Sequence, residues 1–449
     1  MGGSVSGVLH EIKESSPRPE PARVISRLMN DSTTLGRAPV FPTEPREILS
    51  DDFLQDPHPL LRELREKHPV ARVGETGVHL LTSWDIIVEA LGREEDFSAN
   101  LTGGLITGSE GEPAVFDLTE FGTPVDALAT ADEPEHTQHR KLVMPHVTPR
   151  AIATFEPRIR RWAIEAIDLL ADAGGGDFIA SVADPIPTRA TALLVGLPVE
   201  DAEQLLAWAV TGAEILAGPT TRERLLEVGR ETGAMAAYLA RHLSRAVSAT
   251  PDKPVSDVMG EIARSVREGR LSLEDGVANL VILVSAGGES TSGLMGNAVR
   301  MLAEQPLLQR SLREVPERIP AFVEEVARLE SSFRGHYRLV KRSTRLGDVK
   351  LRSGDRLMLL WGAVNRDPSL FKNPDVVDLD RPNLREHVAF GRGIHFCVGA
   401  RLARLEARVI LEEWLARTRA FSLDPGCPPQ YVRSIQVRRH LSLGVVVET

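Results

Sequence analysis

Two stretches of this chain combine residue types that do chemistry. The first is FGRGIHFCVG, residues 390–399. Gly391, Gly393 and Gly399 let the backbone turn tightly and approach a flat partner, and they deliver Cys397 to the mouth of the helical run VGARLARLEARVILEEWL. A helix N-terminus favours a thiolate, because its free N–H groups and positive dipole end stabilise negative charge. Zinc wants three or four protein ligands, which one thiolate cannot supply, whereas haem iron takes a single axial thiolate. A lone cysteine also packs well as a small apolar side chain, so residue type alone leaves both readings open.

The second stretch is AGGEST, residues 286–291, in the middle of the apolar run 277–305. A helix over that run would be roughly 40 Å long, enough to cross the molecule. Its apolar part extends only about ten residues before Gly287, Gly288 and Glu289, too short for a membrane span, so a buried central helix is expected. Two glycines, a carboxylate and two hydroxyls are odd for a core. Ser290 or Thr291 can bond back to the carbonyl four residues earlier and open a groove where a small ligand meets backbone.

The elements that must position these stretches come from the rest of the 449 residues. Apolar residues at 42% and charged residues at 26% suit a globular protein, and a net charge of -10 argues against general nucleic-acid binding. Having only two cysteines argues against a disulfide framework and suggests a reducing cytoplasm. The N-terminus shows no apolar signal segment. Residues 1–40, rich in Ser, Pro and charge, read as a poorly ordered extension, and 41–449 as one domain. Residues 59–70 read as an amphipathic helix, 70–82 as a strand pair around Gly74 and Gly77, and Ser83 as a helix N-cap. The stretch 97–130 reads as a long functional loop, 150–310 as almost wholly helical, and 338–362 as short strands turning at Gly347 and Gly354.

FGRGIHFCVG resembles the haem-thiolate signature of the cytochromes P-450. Glu325 and Arg328 in VEEVAR, then VNRDP (364–368) and DLDRPN (378–383), follow at that family's distances, and the resemblance covers about residues 45 to 449. EDFSANLTG, FRGHYRLVKRST and LLWGAVNRDP are closest in wording to the soluble actinobacterial members, among them the mycobacterial family numbered 144. The resemblance implies a mainly α, single-domain fold with a small β region and a long central helix over haem b. It implies Cys397 as the axial iron ligand and Phe390 as the aromatic packed beneath it, in a loop turned by Gly391 and Gly399. His136, Arg140, Arg338 and His395 match positions that hold the haem carboxylates, and Ala286 and Gly287 match the backbone beside the haem. Glu325, Arg328 and Arg381 match a structural cluster that locks the haem loop to the core.

The implied activity is a monooxygenase that inserts one atom of O2 into an apolar small molecule. The acid of its proton-delivering pair would be Glu289. Ser290 holds the alcohol position, where threonine is usual, with Thr291 one place later, and Gly288 removes a side chain from the same groove. A haem-binding sensor without turnover is the alternative, since it needs the cysteine loop but not this pair. Electrons would come from outside the chain: Arg401, Arg404 and Arg408 form a stripe at spacings of three and four, with Arg392 in the loop, suited to an acidic ferredoxin. Leu101, Ile106, Phe116, Phe333, His336, Tyr337 and Ile435 are the expected substrate contacts. His336 and Tyr337, unusually polar there, would read a polar substrate group or hydrogen-bond a buried loop.

Overall fold

In the computed structural model, which describes residues 45–121, 126–249 and 255–448, the run around AGGEST is one uninterrupted helix, Leu273–Glu304. The N-terminal extension expected over 1–40 lies outside the described residues. Ser272 caps this central helix by accepting from the Asp275 amide at 2.9 Å, and Glu274 and Asp275 face the positive end of its dipole. With 32 residues it is about 48 Å long. No described helix is long and apolar enough to cross a membrane.

The glycines at its centre serve packing. A Cβ on Gly287 would overlap the Thr191 side chain, and one on Gly288 would stand 2.7 Å from Thr188 Oγ1. Both threonines lie on the helix Pro185–Val195, which is thereby drawn close against the central one. Gly288 is buried against that neighbour, so the expectation that it opens the ligand groove is corrected. A large apolar core wraps these two helices, the helix Glu156–Asp172 and the helix Ala400–Arg417 that follows the cysteine, with Trp414 against Phe178 and Phe421.

The main sheet has five strands in the order Val70–Arg72, Val78–Leu81, Arg356–Leu360, Gly335–Val340, Phe97–Ser98. Its register sets Met358 opposite both Leu80 and Tyr337. Gly74, Gly77, Gly347 and Gly354 all hold positive φ at the expected turns. Three expectations change. The stretch 97–130 contains a β-hairpin, Gly103–Thr107 with Pro113–Asp117, as well as the edge strand Phe97–Ser98. Within 150–310 the strand Gly175–Asp177 pairs with Gly444–Glu448. Ser83 does occupy an N-cap position, but Asp367 Oδ2 accepts from the Trp84 amide at 3.1 Å in its place.

Candidate functional site

A cavity of about 240 Å³ separates the central helix from the cysteine loop. Leu283, Ala286, Gly287, Ser290, Thr291 and Leu294 form one wall, and Phe390, Gly391, Cys397, Val398, Gly399 and Leu402 face them. Cys397 is pinned by its own amide, which donates to the Phe390 carbonyl at 2.8 Å. Gly391 and Gly393 make the turn at φ +71 and +75. The Gly399 and Ala400 amides lie at the mouth of the helix Ala400–Arg417, beside the thiol. Cys397 has accessible surface, and it lines this cavity. Burial pushes the free thiol up, while the two amides and the Arg404 and Arg140 guanidinium groups pull it down.

Beneath the loop, Arg404 lies over the Phe390 ring at 4.2 Å and clamps Glu324 with bonds of 2.6 and 2.9 Å. His387 Nε2 is 2.9 Å from the same carboxylate and its ring lies 5.9 Å from Phe390. Those contacts hold Glu324 down at about 2 although burial opposes ionisation. Nearby, the fully buried Arg328 bonds both oxygens of Glu325, and Arg381 Nε reaches Oε1 at 3.1 Å. None of these three borders the cavity.

At one end the cavity meets Arg338 and His395, which also line a second cavity of about 210 Å³. The His136 ring lies 4.2 Å from that of His395, tilted by 50°, with its Nδ1 3.1 Å from Glu133 Oε1. Buried His136 Nε2 and His395 Nδ1 have no partner. Arg338 donates only to the Tyr337 carbonyl and pairs with no carboxylate among the described residues. Burial holds it at about 10 and His395 at about 3. Two orphaned ring nitrogens and an unpaired buried guanidinium beside a cavity that ends on a thiol fit the carboxylates and iron of haem. Arg140 lines the same cavity, and its Nη2 donates to the Phe396 carbonyl at 2.9 Å.

On the opposite wall, Ser290 Oγ donates to the Ala286 carbonyl at 2.7 Å, the back-bond anticipated for this helix. Glu289 lies behind the wall, 4% exposed, and burial pushes it up to about 7. Sequence reasoning missed Glu406, a buried carboxyl bordering the cavity, held well above its ordinary range by burial, with its Oε1 left without a hydrogen-bond partner. Only distance from the cysteine in sequence, along one helix, could have suggested it.

Of the expected substrate residues the cavity receives Phe333 and His336. The other five are corrected. Tyr337, next to His336 on a strand, points to the opposite face and takes the Leu105 amide at 3.3 Å. Leu101 and Ile435 pack with it in a separate cluster, while Ile106 and Phe116 pack on Leu225. Leu128, Thr191, Val195, Ser332 and Trp361 line the cavity instead. The arginine stripe is also largely spent: Arg404 holds Glu324, Arg408 holds Glu412 and Glu156, and Arg401 reaches the Val147 carbonyl at 3.4 Å.

Fold and site together define a haem-thiolate protein. The family model described as Cytochrome P450 matches residues 317–431. Cytochrome P450 144 of Mycobacterium tuberculosis is 37% identical over 88% of this chain and 90% of its own length. The cyclomarin C epoxidase CymV of Salinispora arenicola is 32% identical over 83% of this chain and 91% of its own. Among solved structures, cytochrome P450 CREJ in complex with (4-ethylphenyl) dihydrogen phosphate superposes with a TM-score of 0.80 at 27% identity, covering 91% of this chain and all of that one. The chain belongs to the cytochrome P450 family. It is a monooxygenase whose cofactor is haem b, bound through a cysteine thiolate.

Proposed function

We propose that this enzyme inserts one oxygen atom of O2 into an apolar small molecule, drawing electrons from a ferredoxin-type partner and protons through Glu289 and Ser290. One atom of O2 enters the substrate, and the other leaves as water with two electrons and two protons. Haem, when bound, would supply the oxygen activation. Cys397 would supply its thiolate ligand, with the Gly399 and Ala400 amides moderating the charge. Arg338, His395, His136 and Arg140 would hold the haem carboxylates, and Arg140 also braces the Phe396 carbonyl of the loop.

The observation that carries this reading is a carboxyl held at about 7, set behind a hydroxyl that borders an apolar cavity. A group with that pKa both gives and regains a proton near neutral pH. Ser290 parks its proton on the Ala286 carbonyl and can turn it toward the cavity, since serine lacks the methyl that restricts threonine. Leu283, Leu294 and Phe333 give the same space an apolar lining. For the electron donor, Arg392 and Arg401 retain no carboxylate partner among the described residues and form the basic face beside the cysteine loop.

Two measurements test the reading. The reduced protein under carbon monoxide should show a strongly red-shifted Soret band that Cys397→Ser abolishes. Glu289→Gln should keep that band yet lower product formed per electron consumed, with more hydrogen peroxide released. Unchanged coupling and pH profile in Glu289→Gln would overturn the proton assignment.

A further inference from the structure

Arg438 and Arg439 leave the C-terminal segment in opposite directions. Arg438 bonds Glu330 at 2.7 Å. Arg439 reaches two other carboxylates: its Nη2 donates to Asp184 Oδ2 at 3.3 Å, and its Nη1 stands 3.9 Å from Glu289 Oε1. That Nη1 is buried and has no hydrogen-bond partner, although the side chain is only 5% exposed. Asp184 sits just before the helix Pro185–Val195, and Ser292 of the central helix donates to its other oxygen. No other described cation pairs with Glu289 or Asp184. One guanidinium is thus shared by two carboxylates in a place where water cannot complete the bonding, and one of its N–H groups is left over.

We propose that Arg439 is a positioning residue for proton delivery, a cation shared between Asp184 and Glu289 whose free Nη1 closes onto Glu289 when that carboxyl gives up its proton. The inference rests on the reading of Glu289 given above. The closure needs a shift of about 1 Å, from 3.9 Å to hydrogen-bond distance. Regaining a proton frees Nη1 again and leaves the arginine with Asp184. The other groups facing this cluster add no cation: His440 is neutral, burial holding it at about 3, and Thr188 donates to the Asp184 carbonyl. Asp177 adds negative charge near Asp184. Burial raises both carboxyls, Arg439 opposes it in each, and Asp184 adds to it in Glu289.

Opposite substitutions should therefore move Glu289 in opposite directions. The experiment follows the infrared stretching band of the protonated carboxyl, identified as the band that Glu289→Gln removes from the purified holoenzyme, as pH is varied. Arg439→Gln should raise its midpoint and Asp184→Asn should lower it, each by about one pKa unit, a tenfold change in ionisation. Arg439→Lys, which keeps the charge, should restore most of the wild-type midpoint. Hydrogen peroxide release should rise with Arg439→Gln, while the carbon monoxide spectrum stays as in the wild type. If Arg439→Gln does not fold, Asp184→Asn alone carries the test. Midpoints unmoved by these substitutions, with Glu289→Gln still uncoupled, would overturn the role of Arg439 alone. Coupling and pH profile unchanged in Glu289→Gln would overturn the proton assignment on which it rests.

Discussion

Glu289 should make this protein less stable as pH rises through neutrality, in a way that Glu289→Gln removes. Its ordinary value of 4.5 rises to about 7 in the fold, chiefly through burial. Between those values the folded state holds a proton that the unfolded state has lost, so stability falls with increasing pH. The contribution is absent below about pH 4.5 and fully developed above about pH 7. Each pKa unit corresponds to about 1.4 kcal/mol, so the full effect is about 3 kcal/mol. Glutamine has nearly the same shape and cannot ionise, so the difference between wild type and variant isolates this one carboxyl. Urea unfolding of both holoproteins, followed by circular dichroism at pH 5 and pH 8.5, measures it. The stability of the wild type minus that of Glu289→Gln should fall by about 2 to 3 kcal/mol between the two pH values. A difference that stays constant, or that grows with pH, would show that the carboxyl is not held neutral by its surroundings.

Three further substitutions probe the frame around the site. Gly287→Ala should cost about 1–3 kcal/mol, because the added methyl overlaps Thr191, and Thr191→Ala should recover much of that loss in the double variant under denaturant unfolding. Glu325→Gln leaves Arg328 and Arg381 buried without a carboxylate and should cost about 3–5 kcal/mol by the same measurement, whereas the carbon monoxide spectrum of the folded fraction stays unchanged. Arg404→Ala takes the guanidinium from Glu324 and leaves it the His387 contact alone. That carboxylate is held at about 2, so the stability it lends is present above about pH 4.5 and is lost as pH falls toward 2. Acid unfolding of Arg404→Ala, followed by the Soret band, should begin at a higher pH than in the wild type.

The cysteine loop was legible because its chemistry is local: three glycines, a lone thiol and a helix start lie within ten residues of one another. What lies opposite each side chain was not. The i, i+3 and i+4 pattern of Arg401, Arg404 and Arg408 locates a helix face, but Glu324 and Glu156, which take up two of those charges, arrive from other helices. Gly288 looked like room for a ligand, and only Thr188 of a neighbouring helix shows that it admits close packing. The hairpin Gly103–Thr107 with Pro113–Asp117 was hidden by glycines that break the strand pattern.

His336 shows what a structure adds to a residue already singled out. The sequence left it either reading a polar group or bracing a buried loop, and its two nitrogens divide those roles. Trp361 Nε1 can only donate, and it lies 2.7 Å from His336 Nδ1, so that nitrogen is an acceptor. Burial holds the ring at about 4, hence neutral at physiological pH, and its single proton must sit on Nε2. Nitrogen-15 chemical shifts of the ring in the purified protein should therefore report the Nε2–H form between pH 6 and 8. Trp361→Phe removes the donor and with it the reason for that choice, so the shifts should move toward a tautomer mixture. A Nδ1–H form in the wild type would refute the direction of the Trp361 bond.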